Sequence, residues 1–171
     1  KKSIGMVYGK NTSVVCYTVR NGLKPRKLVL TPDFTYKVLG SSVNRDQLAF
    51  SKVLDGQSLT LTPDANKDVH IHFSASEGQY VDRSTYPVSM AVPTHEYKSG
   101  LLYNLDVRNG FNESDCFYTP YDIEIDIAPG ETKCFYVVCS TSPEEVNGFD
   151  VLEDMLSRKK SLSDNLPVKD G

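Results

Sequence analysis

The amino-acid sequence predicts an all-β protein, an antiparallel β-sandwich with a short helical segment at its C-terminal end. Apolar and polar residues alternate along many short segments, which is the period of a strand with one buried face. Asn, Asp, Gly and Pro separate these segments, as expected for turns. A helical pattern occurs only after residue 141. Many short strands with turns between them favour a sandwich, and a closed barrel is the alternative.

Four segments of the first half show this alternation. In Ser13–Arg20, the odd-numbered face carries Val15, Tyr17 and Val19. Lys27–Thr31 continues as a strand that stops at Pro32, and Ser58–Thr62 is half-buried, with leucine inward and serine or threonine outward. In the fourth, Val69–Phe73, the apolar residues alternate with His70 and His72, which predicts a strand with both histidines on its polar side.

Three further strands are predicted in the second half. Tyr86–Val92 is typical of an edge strand, because Pro87 cannot donate a hydrogen bond to a ladder. Asp122–Ile127 alternates throughout, so we expect its three isoleucines to face the core and Asp122, Glu124 and Asp126 to face water. Lys133–Cys139 is apolar on both faces, which predicts a central strand of a sheet that is covered on both sides.

The C-terminal segment is expected to be helical from about Pro143. Ser142 to Glu145 has the pattern of a capping box, with proline at the first helical position. Asn147-Gly148 should end that turn, and Asp150 should begin a longer helix. We therefore expect a β-sandwich domain over residues 1–141 and a helical linker segment over residues 142–171, with a loose tail after Asp164.

Composition restricts the function classes. A chain of 171 residues with 39% hydrophobic and 24% charged residues is typical of one globular domain. A net charge of −3 argues against a nucleic-acid partner. No apolar run has the ~18 residues of a membrane span, and no signal peptide is recognisable. The chain begins directly in a strand pattern, so we expect it to be part of a longer protein.

The four cysteines are expected to be reduced thiols, which suits a cytoplasmic location. Cys134 and Cys139 are an odd number of residues apart, so a single strand points them to opposite faces. A disulfide from one of them to Cys16 or Cys116 is the alternative.

The candidate metal and carboxylate sites have simpler explanations. His70 and His72 could form a metal pair, but a zinc site needs a third ligand and His95 is the one remaining histidine. We expect no metal or cofactor. The Cα atoms of Glu113 and Asp115 would lie ~6.5 Å apart in an extended segment. The two carboxyl groups of a glycosidase are separated by a distance of this order. Because Glu113 and Asp115 belong to one short segment, we expect them to shape a loop or to face solvent.

An aromatic and polar region offers candidate carbohydrate contacts. Tyrosine and phenylalanine crowd between residues 97 and 121, among polar and charged residues. Sugars are bound by ring stacking and planar polar side chains, although aromatic residues also fill cores and domain interfaces. The candidates are Tyr97, Tyr103, Arg108, Glu113, Asp115 and Tyr118.

The same region resembles a known family. The stretch Tyr103–Tyr121, followed by Ile123-Glu124-Ile125 and Ala128-Pro129-Gly130-Glu131, is similar to the N-terminal domain of bacterial and archaeal glycogen-debranching enzymes. The opening Met6–Thr12, continuing to Asn21-Gly22, resembles that family's first strand pair. The family's Arg-Gly-Leu-Asp motif corresponds here to Asn109-Gly110-Phe111-Asn112.

This resemblance implies a supersandwich-like β-domain without catalytic residues. In the family, α-1,6-glucosidase chemistry belongs to a following α/α-toroid domain of the same chain, which would be the main partner here. The expected role is that of a non-catalytic accessory domain that packs beside the cleft or shapes it, with α-glucan as a further partner. Two alternatives are a free-standing carbohydrate-binding module and a structural sandwich without a sugar role.

Overall fold

The structure is a computed structural model that describes residues 1–38, 40–90, 92, 94–101, 108–110 and 114–164. These residues form eleven β-strands and one α-helix. The strands are β1 (Lys2–Met6), β2 (Thr12–Arg20), β3 (Arg26–Leu30), β4 (Phe50–Asp55), β5 (Ser58–Pro63), β6 (Ile71–Ala75), β7 (Gln79–Asp82), β8 (Tyr97–Leu101), β9 (Asp115–Tyr118), β10 (Tyr121–Ile127) and β11 (Thr132–Ser140), and the helix is α1 (Gly148–Asp164). Short 3-10 turns occupy Arg45–Gln47 and Arg83–Thr85.

The strands form three antiparallel sheets around one core. The largest is an open sheet in the order β1-β2-β11-β6-β5-β4, and it faces a three-stranded sheet, β3-β10-β7. The hairpin β8–β9 forms the third. Side chains from all three sheets, including Phe135, Ile125 and Tyr118, belong to one buried cluster. The antiparallel sandwich predicted from the alternation is therefore confirmed.

Ser58–Thr62 and Asp122–Ile127 have the predicted buried faces, with one exception. Leu59 and Leu61 of β5 are fully buried, as are the three isoleucines of β10. Asp126 is exposed and Glu124 is partly exposed. The prediction for Asp122 was wrong: it is buried, because it lies at the start of β10 where Arg83 supplies a positive charge.

The central position predicted for Lys133–Cys139 is confirmed. This segment lies within β11, between β2 and β6. Its inner face contributes Phe135 to the core, and its outer face meets α1, where the rings of Tyr136 and Phe149 are 5.4 Å apart. The same helix contacts β1 and β2. The helix therefore covers one half of the large sheet.

The predicted edge strand Tyr86–Val92 was wrong for the residues that the structure describes. Residues 86–90 and 92 belong to no strand, and Ser89 and Val92 exchange backbone hydrogen bonds of 2.9 and 3.2 Å in a turn. The chain leaves β7 through a 3-10 turn, in which the Asp82 side chain accepts from the Ser84 amide. The alternation is overridden because this turn directs Tyr86 towards Asp122.

The helix start predicted at Pro143 was also wrong. Residues 143–147 are not helical, and α1 begins at Gly148. Asn147 caps it, since its side-chain oxygen accepts from the Phe149 amide at 2.9 Å. Gly148 is required by close approach: a Cβ there would lie 2.7 Å from the Tyr136 ring. The residue pair expected to end a helix therefore starts one. The tail after residue 164 lies outside the described residues.

All four cysteines are unpaired thiols. Burial raises the pKa of Cys16 and of Cys139. In the described part of the chain, no helix is long and apolar enough to span a membrane.

Candidate functional site

Charged and aromatic side chains meet where β7 ends and β10 begins. We call Lys52, Asp82, Arg83, Glu96 and Asp122 the charged cluster. Three of these residues come from β4, β7 and β10, and the other two lie in the segments that connect the strands. Different parts of the sequence therefore meet at one end of the sandwich.

Lys52 joins two carboxylates in this cluster. Its Nζ lies 3.0 Å from Asp82 Oδ1 and 3.0 Å from Glu96 Oε1, and 4.8 Å from the centre of the Tyr121 ring. Burial opposes protonation of Lys52, but the hydrogen bonds and charges of both carboxylates outweigh it and raise its pKa. The ammonium group is therefore held charged between two acids.

Arg83 and Asp122 form the most enclosed ion pair of the cluster. The two oxygens of Asp122 accept from Arg83 Nη1 at 2.9 and 2.7 Å, and they also accept from the hydroxyls of Tyr86 and Thr31. Arg83 Nε donates to the backbone oxygen of His95 at 2.8 Å. Burial opposes ionisation of Asp122, but these hydrogen bonds and the Arg83 charge lower its pKa.

An aromatic stack adjoins the cluster. Tyr97 and Tyr118 are cross-strand partners in the hairpin, with ring centres 5.2 Å apart. Phe50 stacks on Tyr118 at 5.3 Å, and the guanidinium of Arg45 lies 5.2 Å from the Tyr97 ring. The Tyr118 hydroxyl donates to Glu96 at 3.3 Å. Burial raises the pKa of both tyrosines, so their hydroxyls stay protonated at neutral pH.

The structure brings together two of the candidate carbohydrate contacts, Tyr97 and Tyr118. Tyr97 is half-buried, whereas Tyr118 is 4% exposed and belongs to the core. Arg108 is exposed. Two further candidates, Tyr103 and Glu113, lie outside the described residues.

Asp115, the last of these candidates, is 4% exposed. It forms an ion pair with Lys37, and its Oδ1 accepts from the Val43 amide at 3.1 Å. These contacts fasten Lys37 and Val43 to β9. Burial opposes ionisation of Asp115, but Lys37 and the amides of Val43 and Cys116 lower its pKa. Its carboxylate is therefore occupied by the protein itself.

The sequence contained one signal for the charged cluster. Lys52 alternates with Phe50 and Leu54, and all three are half-buried in β4. A lysine on the inward face of an alternating strand needs a buried partner, and Asp82 and Glu96 provide it. Nothing local identifies Arg83 as the partner of Asp122, because the two residues meet only through the pairing of β7 with β10.

Asp82, Asp115 and Asp122 are held in their charged form, because their pKa values are lowered. For Asp82, burial opposes ionisation, but hydrogen bonds from Ser84 and Lys52 outweigh it. A glycosidase instead needs one carboxyl with a raised pKa to protonate the leaving oxygen. Within the described residues, no group of three His, Cys, Asp or Glu side chains could hold a metal ion.

Comparison with known protein families shows which family the chain belongs to. The family model described as glycogen debranching enzyme N terminal matches residues 1–134. The chain belongs to this family. The match covers β1 to β10 and ends within β11, so all three sheets of this debranching-enzyme domain contribute strands to it. A search of the curated proteins finds no matching relative.

Proposed function

We propose that this debranching-enzyme domain is a non-catalytic accessory domain that packs beside the α-1,6-glucosidase domain of the same enzyme and shapes its glucan cleft. The family match supports membership in a debranching enzyme, a glycoside hydrolase. The observation that supports the non-catalytic role is the state of the charged cluster. Its three carboxylates, those of Asp82, Glu96 and Asp122, are engaged in internal ion pairs, and the pKa values of Asp82 and Asp122 are lowered.

An exposed apolar groove supports packing against another domain. The groove has a volume of about 1120 Å³ and runs between β1 and α1. Ile4 and Met6 line it and are 60% and 61% exposed, although they are large apolar residues. Contiguous exposed apolar surface of this kind marks interaction sites. Since α1 follows the family-matched region, we infer that the glucosidase domain covers this groove.

The catalytic part of the proposal is tested by assaying the chain for hydrolysis. The purified chain is incubated with a branched limit dextrin, and released glucose is measured. We expect no release above buffer. Glucose release that survives repurification and disappears in Glu96→Gln or Glu113→Gln, but not in Glu145→Gln, would contradict the proposal and make this chain an enzyme.

We propose that glucan contact involves the accessible members of the aromatic region. Arg108 is exposed and Tyr97 is half-buried, whereas the buried Tyr118 pairs with Tyr97 across the hairpin and Asp115 accepts from the Val43 amide. We expect weak binding of malto-oligosaccharides that decreases in Tyr97→Ala. Tyr8→Ala is the control, because Tyr8 is exposed in the β1–α1 groove. Tight binding by the isolated chain would favour a carbohydrate-binding module instead.

The four unpaired cysteines also support a reducing compartment for the enzyme, and we propose the cytoplasm. Mass spectrometry of the chain isolated with its thiols trapped by alkylation tests this. We expect four alkylated cysteines, and a native disulfide would contradict the cytoplasmic location.

A further inference from the structure

Two histidines are presented side by side on the outer face of the large sheet. His70 directly precedes β6 and His72 lies within it, while Ile71 and Phe73 point into the core between the sheets. The ring centres of the two histidines are 6.2 Å apart. His70 is exposed and His72 is half-buried. Both rings are therefore on one face and accessible from solvent.

Each histidine is held through the same ring nitrogen by a threonine of the neighbouring strand. His72 Nδ1 lies 3.2 Å from Thr60 Oγ1, and His70 Nδ1 lies 2.8 Å from Thr62 Oγ1. Both threonines belong to β5, which pairs with β6. When Nδ1–H donates to the hydroxyl, Nε2 has no proton and its lone pair points away from the strand. Metal-binding histidines are commonly oriented in this way by an acceptor at the other nitrogen.

We propose that His70 and His72 form a two-histidine chelate for a divalent transition-metal ion, with both Nε2 atoms as ligands and water at the other coordination positions. Imidazole nitrogen suits Cu²⁺, Ni²⁺ and Zn²⁺, and it does not favour Mg²⁺ or Ca²⁺. With metal–nitrogen distances of about 2.0–2.1 Å, the ring centres must approach to about 5 Å. The exposed His70 ring can make this small movement.

The third histidine provides a comparison for the pair. His95 Nε2 already contacts the Pro87 backbone oxygen at 2.9 Å. His95 is therefore an internal control for binding by an isolated histidine.

Metal titration of the intact chain tests the proposal. Ni²⁺ and Zn²⁺ are added at neutral pH and followed by calorimetry and by NMR of the histidine ring signals. We expect one ion per chain, with signals of His70 and His72 shifting together and those of His95 unchanged. His70→Ala or His72→Ala should weaken binding by roughly 100-fold, because loss of one ring removes the chelate. His95→Ala should bind like the original chain.

The role of the threonines gives a second, separate readout. Thr60→Val and Thr62→Val should each weaken binding by about tenfold and change the tautomer of the adjacent ring in ¹⁵N spectra. Equal binding by the original chain and by His72→Ala, or binding that follows His95, would overturn the proposal. So would the absence of any Ni²⁺ effect on the His70 and His72 signals. Circular dichroism checks that each variant keeps its β-sheet spectrum.

Discussion

Three acidic residues of β10 occupy alternate positions and have three different environments. Asp122 is 4% exposed and accepts hydrogen bonds from Arg83, Tyr86 and Thr31. Glu124 forms a surface ion pair with Lys27 at 2.5 Å, and Asp126 is exposed. The difference arises from position along the strand, because only the start of β10 lies beside the 3-10 turn that carries Arg83. The three acidic residues are equally spaced along β10, but they therefore contribute unequally to the stability of the fold.

Asp122→Asn should be strongly destabilising, and Asp126→Asn should be nearly neutral. The first change leaves Arg83 enclosed without its counter-charge, which costs about 3–5 kcal/mol for a buried pair. The second alters a solvated carboxylate, for which about 0.5 kcal/mol or less is expected. Denaturant unfolding of both variants measures the free energies. Equal losses would contradict the special role of Asp122.

The pH dependence of stability provides a check on the same residue. The pKa of Asp122 is lower in the folded chain than in the unfolded chain, so its stabilising contribution is complete above the unfolded pKa of about 3.9. That contribution is lost as pH falls through the lowered folded pKa. Asp122→Asn should therefore lose less stability than the original chain on acidification below about pH 4. If the free energies of unfolding of both chains fell equally with pH, the proposed contribution of Asp122 would be contradicted.

Ile125→Ala should separate the two faces of β10 at a neighbouring position. Ile125 is 2% exposed in the core, so truncation removes buried contacts and leaves a cavity. We expect the free energy of unfolding to fall by about 2–5 kcal/mol. Glu124→Ala should cost no more than about 0.5 kcal/mol, since the Glu124–Lys27 pair is solvated. Urea unfolding of both variants measures this, and similar losses would show that the strand is not half-buried.

At the scale of elements, the sequence predicts strands better than it predicts their ends and connections. Ser58–Thr62 becomes a strand because every inward residue is apolar and its turn follows directly. Tyr86–Val92 also alternates. However, the Asp82 side chain accepts from the Ser84 amide and the Tyr86 hydroxyl donates to Asp122, and these hydrogen bonds hold the start of the segment in a turn. The half-buried position of Lys52 signals that it needs a partner, but its partners were not predictable for a related reason, because Lys52, Asp82 and Glu96 meet only once the strands have assembled.

The boundary of α1 shows how a tertiary contact overrides a local pattern. Ser142–Glu145 has the residues of a capping box, yet residues 143–147 are not helical, and Glu144 in this segment forms an ion pair with Lys10 at 3.1 Å. The helix begins only where Asn147 can cap it and Gly148 can approach Tyr136. Packing against β11 therefore sets the start of the helix.

Gly148→Ala should weaken the docking of α1 on the large sheet. A Cβ at this position would lie 2.7–2.9 Å from three atoms of Tyr136, which forces the helix and strand apart. We expect a loss of about 1–3 kcal/mol. Gly22→Ala is the matched control, because Gly22 has open space around its Cβ direction, and it should change stability by about 0.5 kcal/mol or less. Thermal unfolding compares them, and equal midpoints would contradict the contact.

On the scale of the whole molecule, the two edges of the large sheet differ. β4 is an edge strand, and its Val53 is 65% exposed. β1 at the other edge carries Ile4 and Met6, and the adjoining helix α1 adds a second wall to form the groove. An uncovered edge strand with apolar side chains is a hazard for aggregation, and proteins commonly cover such an edge. This asymmetry supports the proposal that the β1–α1 side of the domain meets the rest of the enzyme.

The last prediction follows from this asymmetry. Ile4→Asp and Met6→Asp should weaken association between this domain and the glucosidase domain of its enzyme by at least tenfold, or about 1.4 kcal/mol. Each variant brings an unpaired carboxylate into an interface that excludes water, while the side chain remains exposed in the isolated chain. Val53→Asp is the matched control at the opposite edge and should associate normally. Calorimetric titration of the separately produced domains measures the affinities, and denaturant unfolding establishes that all three variants remain folded. If Val53→Asp alone weakened association, the interface would lie along β4 and the assignment of the β1–α1 groove would be wrong.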